Sequence, residues 1–99
     1  MSGIINVTFT TRQVAAAIRE GDNWGIAIIK RTGLSMSVVY AMLKRMRESN
    51  WVTWEIEPIK VATEAGRPPR KTYALTSIAI DRLGWADLVA EAQQTAPSR

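Results

Sequence analysis

The sequence predicts a mainly α fold with a small β-hairpin wing, and three observations carry that prediction. Val39, Met42, Leu43 and Met46 recur at i, i+3, i+4 and i+7 after Ser35, a good helix N-cap. The run Trp51-Val52-Thr53-Trp54-Glu55-Ile56-Glu57 alternates as a half-buried strand does and is rich in aromatic and β-branched residues. A stretch punctuated by Gly66, Pro68 and Pro69 then leads into Arg70–Leu75, which can return antiparallel.

Taken in order, Ile4 to Phe9 alternate apolar and polar side chains (Ile5, Val7, Phe9) and form either a short strand or an extended N-terminal arm. Thr10 or Thr11 offers an N-cap for a first helix carrying Val14, Ala15 and Ile18 and ending at Glu20-Gly21. Asn23 can cap a second helix, Trp24 to about Arg31, with Trp24, Ala27, Ile28 and Ile29 apolar and Gly33 just beyond its end. The third helix runs from Ser35 to about Ser49, and Asn50 stops it. In the strand that follows, Trp51 and Trp54 take opposite faces, and Trp54 is expected inward with Val52 and Ile56. Pro58 to Pro69 read as a loop, stiff near Gly66-Arg67-Pro68-Pro69. Thr76 caps a last helix bearing Ile78, Ile80, Leu83, Trp85, Leu88, Val89 and Ala92. Gly84 inside it costs about 1 kcal/mol against Ala, tolerable where another helix approaches closely. Three helices, a hairpin with a long tip and a final helix are the organisation of a winged helix-turn-helix. The expected division is 1–75 for that DNA-binding unit with its N-terminal arm or strand, 76–95 for a C-terminal dimerisation helix, and 96–99 for a disordered tail.

The 99 residues suffice for one core only, and 46% hydrophobic against 22% charged residues is a globular balance. With neither Cys nor His, disulfides, the usual zinc ligands and the commonest general base are absent, and no cofactor is called for. Glu55 and Glu57 share a strand face, but nothing on an exposed hairpin raises a carboxyl pKa, so an enzyme is not expected. No apolar run approaches the roughly 20 residues of a membrane span, and a cytoplasmic protein is the expectation.

Nine of the thirteen basic residues lie between Lys30 and Lys71 beside four acids, so the net charge of +4 belongs to the middle of the chain. With its apolar stripe inward, the third helix turns Met36, Ser37, Tyr40, Lys44 and Arg47 outward behind Ser35. Small polar groups come first and cations later, which suits a helix whose start reads base edges and whose end reaches phosphates. Arg67, Arg70 and Lys71 flank two prolines on the hairpin, where an arginine can contact phosphates or enter a narrow minor groove. Lys30, Arg31 and Arg45 are further backbone-contact candidates; for Lys30 and Arg31, compensation of the helix C-terminal dipole is the alternative. These residues point to double-stranded DNA as the partner.

Trp24-Gly25-Ile26, Ile29-Lys30-Arg31, Leu34-Ser35 and Val39-Tyr40-Ala41-Met42-Leu43-Lys44-Arg45-Met46 resemble the PadR family of transcriptional regulators. So do Asn50-Trp51-Val52 and Gly66-Arg67-Pro68-Pro69-Arg70-Lys71-Thr72-Tyr73-Ala74-Leu75-Thr76, and the likeness spans roughly Trp24 to Leu83. Asn50 stands where the family usually has Gly, and Val38 where a small polar residue is common. The resemblance implies a homodimeric repressor on an inverted-repeat operator, in some members released by a small-molecule effector. Ile78, Trp85 and Ala92, seven apart, with Leu88 and Val89, are the dimerisation candidates; the alternative is that this stripe covers its own domain. In multidrug-responsive members aromatic side chains on that helix stack on flat ligands, while a lone Trp in a small dimer is otherwise a packing anchor. The other function class left open is a winged-helix module for protein contacts without specific DNA binding.

Overall fold

The computed structural model describes residues 6–85. Among them are five helices and one two-stranded sheet: α1 (Phe9–Arg19), α2 (Gly25–Thr32), α3 (Met36–Glu48), β1 (Val52–Ile56), α4 (Ile59–Glu64), β2 (Lys71–Leu75) and α5 (Ser77–Arg82). None of these helices is long and apolar enough to cross a membrane.

α1 starts earlier than expected because Thr8, not Thr10 or Thr11, caps it. The Thr8 hydroxyl accepts from the Thr11 N–H at 3.2 Å, and the Thr11 hydroxyl accepts from the Thr8 N–H at 3.3 Å, which satisfies two end donors reciprocally. Phe9 is thereby inside the helix and residues 6–8 form no strand; Ile4 and Ile5 lie outside the described residues. The N-cap of α2 is Trp24 rather than Asn23. Asn23 is used differently: its carbonyl accepts from the Tyr73 N–H at 2.9 Å, and Trp24 bridges antiparallel to Thr72. The α1–α2 link therefore runs along the free edge of β2.

α3 follows the expected pattern. Ser35 caps it, accepting from the Val38 N–H at 3.2 Å, and Val39, Leu43 and Met46 are buried, with Met42 packed partly against them. They join Val14, Ile18 and Ile28 with Trp51, Val52, Tyr73, Ala79 and Leu83 in one core. After Ser49, Asn50 takes φ 60°, a left-handed conformation that Asn tolerates, and the Trp51 N–H returns to the Met46 carbonyl at 2.8 Å. That closure swings Trp51 into the core, where it is 1% exposed.

Strand pairing joins Val52 to Leu75, Trp54 to Tyr73 and Ile56 to Lys71, so these six residues share one face of the hairpin. Val52 and Tyr73 are buried on that face as part of the core, but Trp54 and Ile56 are 43% and 60% exposed and do not join it. The expectation that Trp54 and Ile56 point into the core, with Trp51 opposite, is thus corrected. The expected loop from Pro58 to Pro69 also contains a helix, α4, whose Ala62 is buried.

Thr76 caps α5 as expected, accepting from the Ala79 N–H at 3.3 Å while its hydroxyl donates to the Asn50 carbonyl at 2.7 Å. Gly84 is not interior to a long helix. It takes φ 76°, donates its N–H to the Asp81 carbonyl, and lets the Trp85 N–H reach the Ile80 carbonyl at 2.9 Å. This reversal ends α5 at Arg82. The expected continuous helix over 76–95 therefore breaks at Gly84, and its remainder lies outside the described residues.

Candidate nucleic-acid interface

The outer side of α3 carries the residues expected there. Met36 and Tyr40 are 59% and 45% exposed, and Ser37, Lys44 and Arg47 are exposed with them. Ser35 is occupied at the helix start, bonded to Val38 and within 3.3 Å of the Ser37 hydroxyl. The Tyr40 ring lies directly against Gly25: a Cβ at that position would stand 2.2 Å from the Tyr40 hydroxyl oxygen. Arg45 is exposed but sits about 140° around the helix from Tyr40, at 100° per residue, and does not join this side.

The hairpin adds two cations beside α3. Arg70 lies over the Trp24 ring at 4.0 Å from its centroid, and Lys71 over the Trp54 ring at 4.6 Å. Arg47 reaches the same Trp54 ring from α3 at 5.2 Å. Two adjoining clefts result. One, of about 330 Å³, lies between Trp24, Gly25, Tyr40, Arg70 and Lys71; the other, of about 270 Å³, between Tyr40, Lys44, Arg47, Lys71 and Tyr73. No side chain caps the first N–H groups of α2, whose start lines the first cleft. Burial pushes the Tyr73 phenol above its ordinary range, against the pull of Arg47, so it stays a neutral hydroxyl. Trp24 and Trp54 belong to this surface although sequence reasoning did not assign them to it. The strand register, which pairs Ile56 with Lys71 and Trp54 with Tyr73, is the signal that finds Trp54.

Two expected contact residues are engaged elsewhere. Arg67 is folded back across the hairpin onto Glu57, with one bond between Nη2 and Oε2 at 2.9 Å and a second from Nη1 to Oε1. The Arg70 N–H also donates to Glu57 at 3.3 Å. Arg67 is therefore a clasp for the hairpin tip rather than a free loop cation. Arg31 bonds Asp22 at 2.7 Å and also Glu20, while Lys30 stays exposed beside the cleft of Trp24, Ile26 and Arg70.

The clasp has a pH signature. Its hydrogen bonds from Arg67, with the Arg70 N–H, hold the Glu57 carboxyl at about 2, below its ordinary 4.5, although desolvation works the other way. A depressed carboxylate pKa contributes stability that is complete above the unfolded value and lost as pH falls through the folded one. The thermal midpoint of the wild type should therefore exceed that of Glu57→Gln at pH 6, and the gap should close between pH 4.5 and about 2. A gap independent of pH would mean that the clasp does not act through the carboxylate's charge.

Of the dimerisation candidates, Ile78 is 50% exposed on α5. Trp85 packs partly against the core under Arg19, 4.2 Å from its ring centroid. It borders an apolar cleft of about 550 Å³ with Ile18, Tyr73, Leu75 and Ile80. Leu88, Val89 and Ala92 lie outside the described residues. Comparison with models of known protein families, with curated proteins and with solved structures gives no match.

Proposed function

We propose that this chain is a sequence-specific, double-stranded DNA-binding transcriptional regulator of winged helix-turn-helix type. In this reading α2 and α3 are the helix-turn-helix, α3 enters the major groove, and the hairpin is the wing. One observation carries it: Tyr40, Lys44 and Arg47 of α3 and Arg70 and Lys71 of the hairpin form one cationic, aromatic surface. Among the described residues no carboxylate pairs with Lys44, Arg47 or Lys71. The start of α3, where the Ser35 and Ser37 hydroxyls flank Met36, suits base edges, and the cations behind it suit phosphates. The resemblance to PadR regulators supports the same reading and extends it to a cytoplasmic, homodimeric repressor on an inverted repeat. Two copies are also what a module presenting one short helix needs for ordinary operator affinity.

A second reading has its own support. Ile56, Ile59 and Val61 are 60%, 74% and 46% exposed near the hairpin tip, apolar side chains that a protein partner could cover. Selection of bound sequences from random duplexes separates the two. DNA binding predicts enrichment of a two-fold symmetric site with half-sites about one turn, 10 bp, apart. Ser37→Ala should then change the preferred bases by about 1–3 kcal/mol of discrimination with the fold intact. Absence of any enriched site would favour the protein-contact module, and light scattering would report the dimer independently.

A further inference from the structure

Three cations converge where α3 meets the hairpin. Lys44, Arg47 and Lys71 line one cleft together with the hydroxyl-bearing rings of Tyr40 and Tyr73. Elsewhere the chain places carboxylates beside its arginines, Glu20 and Asp22 at Arg31 and Glu57 at Arg67. Here, although Glu48 follows Arg47 and Glu55 follows Trp54 in the chain, no described carboxylate is in ion-pair contact with any of the three cations. What it supplies instead is an indole. Arg47 from α3 and Lys71 from β2 both stand over the Trp54 ring, at 5.2 and 4.6 Å. An aromatic face attracts cations through its quadrupole but carries no net charge. It can orient two cations from different elements without neutralising either, which a carboxylate could not do. The like charges it gathers keep no direct carboxylate partner, which leaves their hydrogen-bond donors open to an anion.

We infer that Arg47 and Lys71 form a seat for one phosphodiester of the DNA backbone at the junction of α3 and the hairpin, with Trp54 as the positioning residue that holds the two cations together. The inference rests on the DNA-binding reading and deepens it. One phosphate gripped from two elements ties the angle between recognition helix and wing to the backbone itself. It also accounts for an exposed tryptophan on a strand face of which the core covers only Val52 and Tyr73. Such a contact positions the protein and carries no sequence information.

The test is a set of salt titrations on a selected duplex and on a random one. It compares wild type with Trp54→Leu, Trp54→Phe, Lys71→Ala and the Trp54→Leu/Lys71→Ala pair. Trp54→Leu should weaken both duplexes alike, by roughly tenfold, as loss of a charge-assisted hydrogen bond does. The slope of log K against log salt should become shallower by about 0.9, the value for one lost phosphate contact. Trp54→Phe keeps a ring and should retain most of the affinity, and Lys71→Ala should cost little more once Trp54 is gone. If Trp54→Leu fails to fold, Arg47→Ala and Lys71→Ala carry the same test, since their effects on affinity should be strongly sub-additive. Wild-type affinity and slope in Trp54→Leu, or additive effects of the two cation variants, would overturn the seat while leaving DNA binding intact. A wild type that binds neither duplex at low salt would overturn the DNA reading itself, and the seat with it.

Discussion

Replacing Trp51 by alanine should cost about 3–5 kcal/mol, the range for removing a large aromatic side chain from a packed core. A small domain holds only about 5–15 kcal/mol in all, so this variant should be largely unfolded at moderate denaturant. Trp51 is 1% exposed, and the backbone around it joins three elements. Its N–H bonds the last turn of α3 at Met46, and its carbonyl accepts from the Thr76 N–H at 2.9 Å, where α5 begins. The Arg82 guanidinium lies 5.9 Å from its ring. Truncation would leave a cavity between α3, β1 and α5 that none of them can collapse into without breaking these bonds. Trp54→Ala, three residues along the same run, should cost far less, because its ring is 43% exposed. Urea denaturation of both variants checks the contrast; equal costs would reverse the assignment of the two tryptophans.

The second large effect is expected from a residue whose own side chain touches no ligand. Gly25→Ala would place a methyl 2.2 Å from the Tyr40 hydroxyl oxygen and 2.6 Å from the ring carbon that bears it. Neither distance is compatible with packed atoms, so the ring has to swing off α2. Gly25 is buried, but the atoms in the way are the far end of a side chain that is 45% exposed, so the ring can turn outward and the stability cost should stay within about 1.5 kcal/mol, the scale of an off-rotamer side chain. On the DNA-binding proposal, a Tyr40 ring displaced from the edge of the cleft that Arg70 and Lys71 border should lower duplex affinity by roughly tenfold, at 1.4 kcal/mol per decade. The Gly25→Ala/Tyr40→Ala pair separates strain from lost contact. If the collision is the cause, the double variant is more stable than Gly25→Ala alone, and thermal melting would show it. A Gly25→Ala protein as stable as wild type would mean that the α2–α3 contact is looser than these distances require.

Much of the helical layout was legible because it depends on short-range chemistry. Ser35 and Thr76 act as the caps their residue types suggest, and Val39, Leu43 and Met46 obey helical periodicity. The outer side of α3 follows by elimination. What was not legible depends on partners distant in sequence or on a choice between two local roles. Asn50 was recognised as a stop, but the turn it makes carries Trp51 into the core and exchanges the roles expected of Trp51 and Trp54. Gly84 could be a tolerated interior glycine or a terminator; Arg82 in the turn before it favoured the terminator. α4 is six residues long, with β-branched Ile59, Val61 and Thr63 after Pro58, and carries almost no helical signal. Arg67 looks free in the sequence because Glu57, ten positions earlier, becomes its neighbour only once the hairpin closes.

The bridge from Trp24 to Thr72 gives the hairpin the mechanics of a bracketed beam. Up to Thr72, β2 is held on one edge by β1 and on the other by the α1–α2 link, with Tyr73 bonded to Asn23. Backbone bonding to that link ends there, Arg70 still stacks on the Trp24 ring, and residues 58–69 make a tip stiffened by Arg67 and Glu57. A tilt of about 10° at the bracket would carry a point 10 Å out, roughly the length of α4 at 1.5 Å per residue, through about 2 Å. Lys71, at the fulcrum, would hardly move. The same chain thus combines a fixed point beside α3 with a clasped arm whose tip position depends on the angle set at the bracket.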